Sequence, residues 1–256
     1  MIRPRFLLVV LALVLPLVAG GYWLWDWVLG DTVEASGPIQ AVPVQLEATY
    51  TAPVGEATQT DPLAEEPLAV TASDYTIFNI SQADSQVRFT ISEELRGQPK
   101  EVIGATNQIS GEIAVDFNDL SSAQVGDILV NARTLVTDSS QRNQTIRNRI
   151  LNTDNYEFIH FKPVEIIGLE GSAAPGESFF FQIVGELTIR DVTKEVIFDV
   201  AVEVTSDSKI MGSARTTIQR GDYNLVIPSV PFVANVGEDV TLEIAFVAVA
   251  SSSADG

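Results

Sequence analysis

The stretch EVIFDVAVEV constrains this chain most. Val196, Phe198, Val200, Val202 and Val204 fall on one face, and Glu195, Asp199 and Glu203 on the other. Period two over so many residues is the pattern of a strand with one buried side, and no helix can hide it. VTLEIAFVAVA repeats it with Val240, Leu242, Ile244, Phe246 and Ala248, and FFFQIVGELTI with Phe179, Phe181, Ile183, Gly185 and Leu187. GEIAVDF adds Ile113, Val115 and Phe117. Strands are predicted at 75–80, 86–92, 108–117, 126–134, 157–168, 178–190, 195–205, 209–219 and 239–250, with turn residues between most of them. That number of antiparallel strands suggests a closed barrel or a sandwich.

One segment departs from alternation. SSQRNQTIRNRILNTD, residues 139–154, spaces Ile146, Ile150 and Leu151 along one side of a short helix, with Ser139 or Ser140 placed to cap it. Its Arg142, Arg147 and Arg149 are the densest basic cluster in an acidic domain. They read either as a solvated face offsetting nearby acids or as contacts for an anionic head group at a barrel mouth.

The first third of the chain is of another kind. Arg3 and Arg5 precede an apolar run from Phe6 to Leu29 in which only Asp26 is charged, long enough for the ~20 residues that cross a bilayer. Tyr22, Trp23, Trp25 and Trp27 suit an interfacial belt. The reading is a single-pass anchor in the cytoplasmic membrane over residues 1–30, with the rest extracytoplasmic; cleavage near Ala19 to Gly21, giving a secreted or periplasmic product, is the competing one. Residues 31–73 carry no Lys or Arg, and Pro38, Pro43, Pro53, Pro62 and Pro67 interrupt them, which reads as a disordered acidic linker. The β domain then covers 74–251.

Composition removes several function classes. With 15 Lys and Arg against 34 Asp and Glu, the net charge of −19 disfavours nucleic acid and anionic surfaces. There is no Cys, hence no disulfide, thiolate nucleophile or Cys-ligated zinc. His160, the one histidine, lies in YEFIHFKP on a strand with no flanking catalytic signature, so a strand histidine is expected, and no metal site. Arg220, Gly221 and Asp222 read as a strand-end turn with an internal ion pair.

GELTIRDVTKEV resembles the hairpin signature of the YceI-like family, with Gly185, Leu187, Thr188, Ile189, Val192, Thr193, Lys194 and Val196 at matching positions. SQVRFTI, TNQISGEIAVDF, TLVTDSSQRNQTIR and TIQRGDYNL are similar to four further family segments, in the family's order, so the resemblance runs from about Tyr75 to Ala250. Asp191 stands at the family's usual turn glycine, Thr145 where a histidine is often found, and Asn224 at the last glycine of its D-F-G. The resemblance implies a lipocalin-like antiparallel barrel with one short helix, whose apolar lumen holds a polyprenyl lipid or an isoprenoid quinone. Period two and that fold together point Phe117, Phe181, Ile183, Phe198, Val200, Leu242, Ile244 and Phe246 inward as ligand-binding residues. No cofactor is implied. Two rival readings stand beside the binding module: an interaction domain with a filled core, and an enzyme acting on an isoprenoid lipid. EELRGQPKEVIGATN, longer than the family's usual opening hairpin, reads as a lid over one mouth.

Overall fold

In the computed structural model, residues 33–44 and 75–251 are described. The alternating runs form thirteen strands in one antiparallel sheet that curls into a half-barrel. The opening strands are β1 (Thr76–Ile80), β2 (Gln86–Leu95), β3 (Gln98–Thr106), β4 (Ile109–Ser110), β5 (Glu112–Val115), β6 (Gln124–Val125) and β7 (Ile128–Asn131). The long ones follow: β8 (Phe158–Ile167), β9 (Ser178–Ile189), β10 (Val192–Ser206), β11 (Lys209–Gln219), the short β12 (Val233–Ala234), and β13 (Asp239–Ala250). The main order is β4-β7-β8-β9-β10-β11-β13-β1-β5-β6, and β2 pairs with β13, β12 and β3. Because β4 pairs with β7 while β5 pairs with β1, residues 109–115 serve both ends of that order.

The expected faces are the observed ones. Phe198, Val200 and Val204 on β10 are buried, as are Ile183 and Leu187 on β9 and Val240, Phe246 and Ala248 on β13. Register follows: Phe198 sits opposite Ile183 and Val200 opposite Phe181. The polar link in RDVTK is a tight turn in which Ile189 pairs with Val192, and Arg190 takes a positive φ of 58°. The helix α1 (Ser140–Thr145) is capped by the Ser139 side chain and continues as a π-turn over Ile146–Ile150.

Four expectations need correction. The EELRGQPKEVIGATN stretch is no lid. It is the β2–β3 hairpin, with Leu95 paired to Gln98 across Arg96 and Gly97, which take positive φ of 54° and 75°. Second, the Arg220 turn exists, but its guanidinium pairs with Glu238 rather than with Asp222. Third, the all-β antiparallel expectation fits a curled half-barrel with one short helix, and the transmembrane helix expected with it does not belong to the described architecture. Residues 1–30 lie outside the described residues, and among the described residues no helix is long and apolar enough to cross a membrane. The helical stretch offers six residues with one arginine and a five-residue turn with two, against the ~20 apolar ones a span requires. Fourth, the single-pass localisation in the cytoplasmic membrane rested on that helix, and no helix among the described residues supports it.

Of the expected linker, residues 33–44 are described, and they follow the surface of the half-barrel. Val33 N donates to Asp154 Oδ1 at 2.9 Å, and Val44 N to Glu112 Oε2 at 3.0 Å. Between them, Gln82 donates to the Ile39 carbonyl and Ser110 to that of Gln40. The firmest point is Glu157. Its carboxylate accepts from Ser36 N at 2.6 Å, Ser36 Oγ at 2.7 Å, Asn131 Nδ2 at 2.8 Å and Arg133 Nη1 at 2.9 Å. Burial by itself would raise the Glu157 pKa, but the bonds from Ser36 and Asn131 and the Arg133 charge outweigh it and hold the carboxyl below its ordinary range.

Candidate functional site: an apolar cavity at one end of the half-barrel

The interior is filled unevenly. At the end where β10 turns into β11, Phe78, Val115, Leu120, Val204, Ile210, Phe246 and Ala248 form a closed cluster. In the middle, Phe161 and Phe198 meet edge to face, ring centroids 4.9 Å apart, within a larger cluster that includes Ile183, Leu187 and Val200. The opposite end is hollow. A cavity of about 840 Å³ opens there, within the about 300–1,000 Å³ range of small-molecule sites.

Four groups of residues supply most of its wall, and Val130 on β7, Ile159 on β8 and Ile189 on β9 also line it. The β2–β3 hairpin contributes Val87, Phe89, Ile91 and Val102, and the helical segment contributes Ile146, Ile150 and Leu151. The ends of β11 and β13 add Ile218, Val240 and Leu242. The fourth wall is the segment 225–236, which leaves the Arg220–Tyr223 turn through Asn224 at a positive φ of 53° and crosses the opening. It is held by β12, whose Val233 pairs with Leu95, and by Arg96 N donating to the Phe232 carbonyl at 2.8 Å.

Polar groups concentrate at the rim. Along β2 the inward positions Val87, Phe89 and Ile91 are followed by Glu93, buried at 8% exposure. Glu93 Oε1 accepts from Arg142 Nη2 at 2.8 Å. The other arm of Arg142 reaches Asp138, which also accepts from Lys100 Nζ at 2.6 Å. The Lys100 hydrogen bond lowers the Asp138 pKa most; burial opposes this and the Arg142 charge reinforces it. The result is a continuous chain Lys100, Asp138, Arg142, Glu93 that carries charge into an otherwise apolar wall with every member partnered. Such groups can orient a polar head while the walls bury hydrocarbon.

The residues singled out from the sequence divide between these regions. Leu242 and Arg142 line the cavity. Ile183, Phe198 and Val200 lie in the packed middle, with Phe181 and Ile244 against it. Phe246 belongs to the closed end, and Phe117 packs there edge to face on Phe78, centroids 6.0 Å apart. Phe181 and Val200 also border a shallower hollow of about 430 Å³ beside Phe180. Arg147 and Arg149 do not line the cavity. Neither does His160, on β8, whose Nε2 lies 3.0 Å from Asp127 Oδ2.

Part of the cavity wall is not legible in the sequence. Phe89 and Ile91 lie on the strand expected at 86–92, whereas Val102 lies on the second strand of that hairpin, which gives no clear alternation. The run VIPSVPFVANV, residues 226–236, lacks both alternation and charge; an uncharged apolar run interrupted by two prolines, placed just before a strand, is the one signal that could have found it.

Comparison with known proteins agrees with this architecture. The chain is 26% identical over 156 residues to a UPF0312 protein of Staphylococcus epidermidis, covering 59% of this chain and 82% of that one. Among solved structures it is similar to BcnA of Burkholderia cenocepacia, at 17% identity and a TM-score of 0.51 over 66% of this chain and 98% of that one. It is also similar to a polyisoprenoid binding domain from Saccharophagus degradans implicated in plant cell wall breakdown, at 15% identity and a TM-score of 0.54 over 68% and 98% of the two chains. At these identities the structural likeness shows the fold. The model of the YceI-like domain matches residues 78–248, through the hairpin, the helix and the closing strand alike, and the chain belongs to the YceI-like family.

Proposed function

We propose that this protein is a lipid-binding module that takes the hydrocarbon of an isoprenoid, a polyprenyl lipid or an isoprenoid quinone, into the cavity at the open end of the half-barrel. The observation that carries the reading is the cavity itself: about 840 Å³ walled mostly by aliphatic and aromatic side chains, with Lys100, Asp138, Arg142 and Glu93 paired with one another at its rim. The polyisoprenoid-binding domain that shares the fold supports the chemical class. Burial of one CH₂ contributes ~0.8 kcal/mol, so each five-carbon unit drawn out of water adds a few kcal/mol before ordering costs. Binding of this kind needs shape and apolar area, with no nucleophile or base.

The packed middle sets the depth. Phe161 and Phe198 close the interior below the cavity, so Leu242, Val240 and Ile218 contact the chain while Phe198, Val200 and Ile183 form the floor that stops it. The Arg142 and Glu93 pair meets the polar head at the rim. Native mass spectrometry of the full chain, after incubation with a polyprenol and separately with a prenylated quinone, tests this: a one-to-one adduct with at least one is expected, and no adduct with either rules the reading out.

A further inference from the structure

The loop that forms the fourth wall of the cavity also points outward. Val226 is 73% exposed, Phe232 72% and Val230 40%, on the segment that lines the cavity through Ile227, Pro228, Pro231, Val233 and Val236 and in part through Val230 and Phe232 themselves. From Val226 to Val236 no residue is charged, in a chain with 34 Asp and Glu. The chain turns at this tip, with Phe232 at a positive φ of 70° and Val233 N donating to the Val230 carbonyl at 3.3 Å, and the β12 pairing ties the turn down, so its exposure is built into the fold rather than left to a loose loop.

The charge beneath the tip has the opposite sign to the chain as a whole. The cavity lining carries Arg88, Arg96, Lys100, Arg142 and Arg220 against Glu93 and Asp138. Arg96 lies 5.7 Å from the Phe232 ring centroid. The carboxylates just outside are engaged, Glu94 by Asn235 and Glu238 by Arg220. An exposed apolar tip with Arg96 beside it, above the ion-paired Lys100, Arg142 and Arg220, is the pattern of a surface that lies in the lipid interface, with side chains among the acyl chains and a guanidinium at the phosphates.

We propose that this rim, with Phe232 and Val230 at its tip, docks on the surface of an anionic lipid bilayer, so that the cavity opens onto the membrane and a hydrocarbon chain passes between the two without crossing water. The inference rests on the lipid-binding reading for its purpose, but it concerns the outward side of the rim and adds a bilayer contact that filling the cavity does not itself require. It also uses none of residues 1–30.

The absence of cysteine makes the test clean, since one introduced thiol can be labelled alone. Ser229→Cys places an environment-sensitive fluorophore on the exposed tip, and Ser172→Cys places it on the exposed loop beside the closed end, where neighbouring Ala173 packs. Both full-length variants are mixed with vesicles of phosphatidylethanolamine and phosphatidylglycerol containing no isoprenoid. The expected result is a blue shift, a severalfold intensity gain and quenching by acyl-chain spin labels at position 229, with no change at 172. The response weakens at high salt, and Phe232→Asp, at a position with a largely exposed ring, abolishes it while circular dichroism stays that of the folded sheet. An unchanged signal at 229, an equal response at 172, or a response that survives Phe232→Asp overturns the proposal. Because the vesicles hold no isoprenoid, failure here and failure of the adduct experiment are read independently.

Discussion

The ring of Phe161 occupies the space that a side chain on Gly185 would need. A Cβ built on Gly185 would lie 2.6 Å from two of the ring carbons and 2.6 Å from the carbonyl oxygen of Lys162. The glycine of the β9 hairpin motif is therefore a packing requirement between β8 and β9, and its φ is not positive. Through Phe161 it fixes Phe198, and with it the floor of the cavity.

Gly185→Ala accordingly destabilises the protein. The backbone oxygen cannot yield as a ring can, so the overpacking costs about 1–3 kcal/mol. Urea unfolding followed by circular dichroism measures it.

Phe198 and its neighbour Asp199 separate the two faces of β10. Phe198→Ala removes a ring at 4% exposure from the packed middle and costs about 3–5 kcal/mol. Asp199 accepts a hydrogen bond from Gln182 Nε2 at 2.8 Å on the exposed face, and Asp199→Asn changes stability by only ~0.5 kcal/mol. The same unfolding experiment compares them. Equal losses would reverse the assignment of faces.

The interior face of β10 is legible in the sequence because alternation states which side is buried. It does not state which end is full. Phe198 and Leu242 carry the same sequence signal, yet one is floor and the other wall, a difference decided by how rings from β8 and β10 stack across the interior. The far part of the β2–β3 hairpin is hidden by Glu93 and Glu94 at the end of β2 and by Lys100 and Glu101 on β3, whose charges break alternation because two of them, Glu93 and Lys100, belong to the rim network. The docking of residues 33–44 is hidden for another reason: it is made largely of backbone groups bonded to Asp154, Glu112 and Glu157, and composition carries no trace of those.

Acid releases that segment. Glu157 is held below its ordinary value, so its contribution is complete above the unfolded carboxylate pKa of about 4.3 and is lost as pH falls through the lower folded value. Protonation removes the charge partner of Arg133 and weakens the Ser36 bonds. Amide exchange at residues 33–36 accelerates over that acidic window, and Glu157→Gln gives fast exchange already at neutral pH. Protection of these amides that is the same in Glu157→Gln as in the parent would contradict the assignment.

Alkali acts through Tyr223. Its ring is 1% exposed, its hydroxyl has no hydrogen-bond partner among the described residues, and burial, with the Asp222 charge, raises its pKa from 10.0 to about 12. Between these values the unfolded chain loses the phenolic proton while the folded one keeps it, so stability falls as pH rises from about 10 to 12, by on the order of 2 kcal/mol. Tyr223→Phe has no proton to lose and lacks this alkaline loss. At neutral pH it is at least as stable as the parent, because it buries no unpaired hydroxyl. Stability curves of the two proteins against pH, measured side by side, check both statements.

The most direct measurement of the central claim is the lipid content of the purified protein. The full chain is extracted with organic solvent and the extract analysed by mass spectrometry, beside Leu242→Asp, which sets a carboxyl into the cavity wall, and Asp199→Asn on the outer face. An unpartnered carboxylate in that wall costs several kcal/mol or takes up a proton, and in either state it displaces hydrocarbon. The account predicts an isoprenoid in the parent and in Asp199→Asn, and little or none in Leu242→Asp with its circular dichroism unchanged. No isoprenoid in any of the three, or full retention by folded Leu242→Asp, would contradict it.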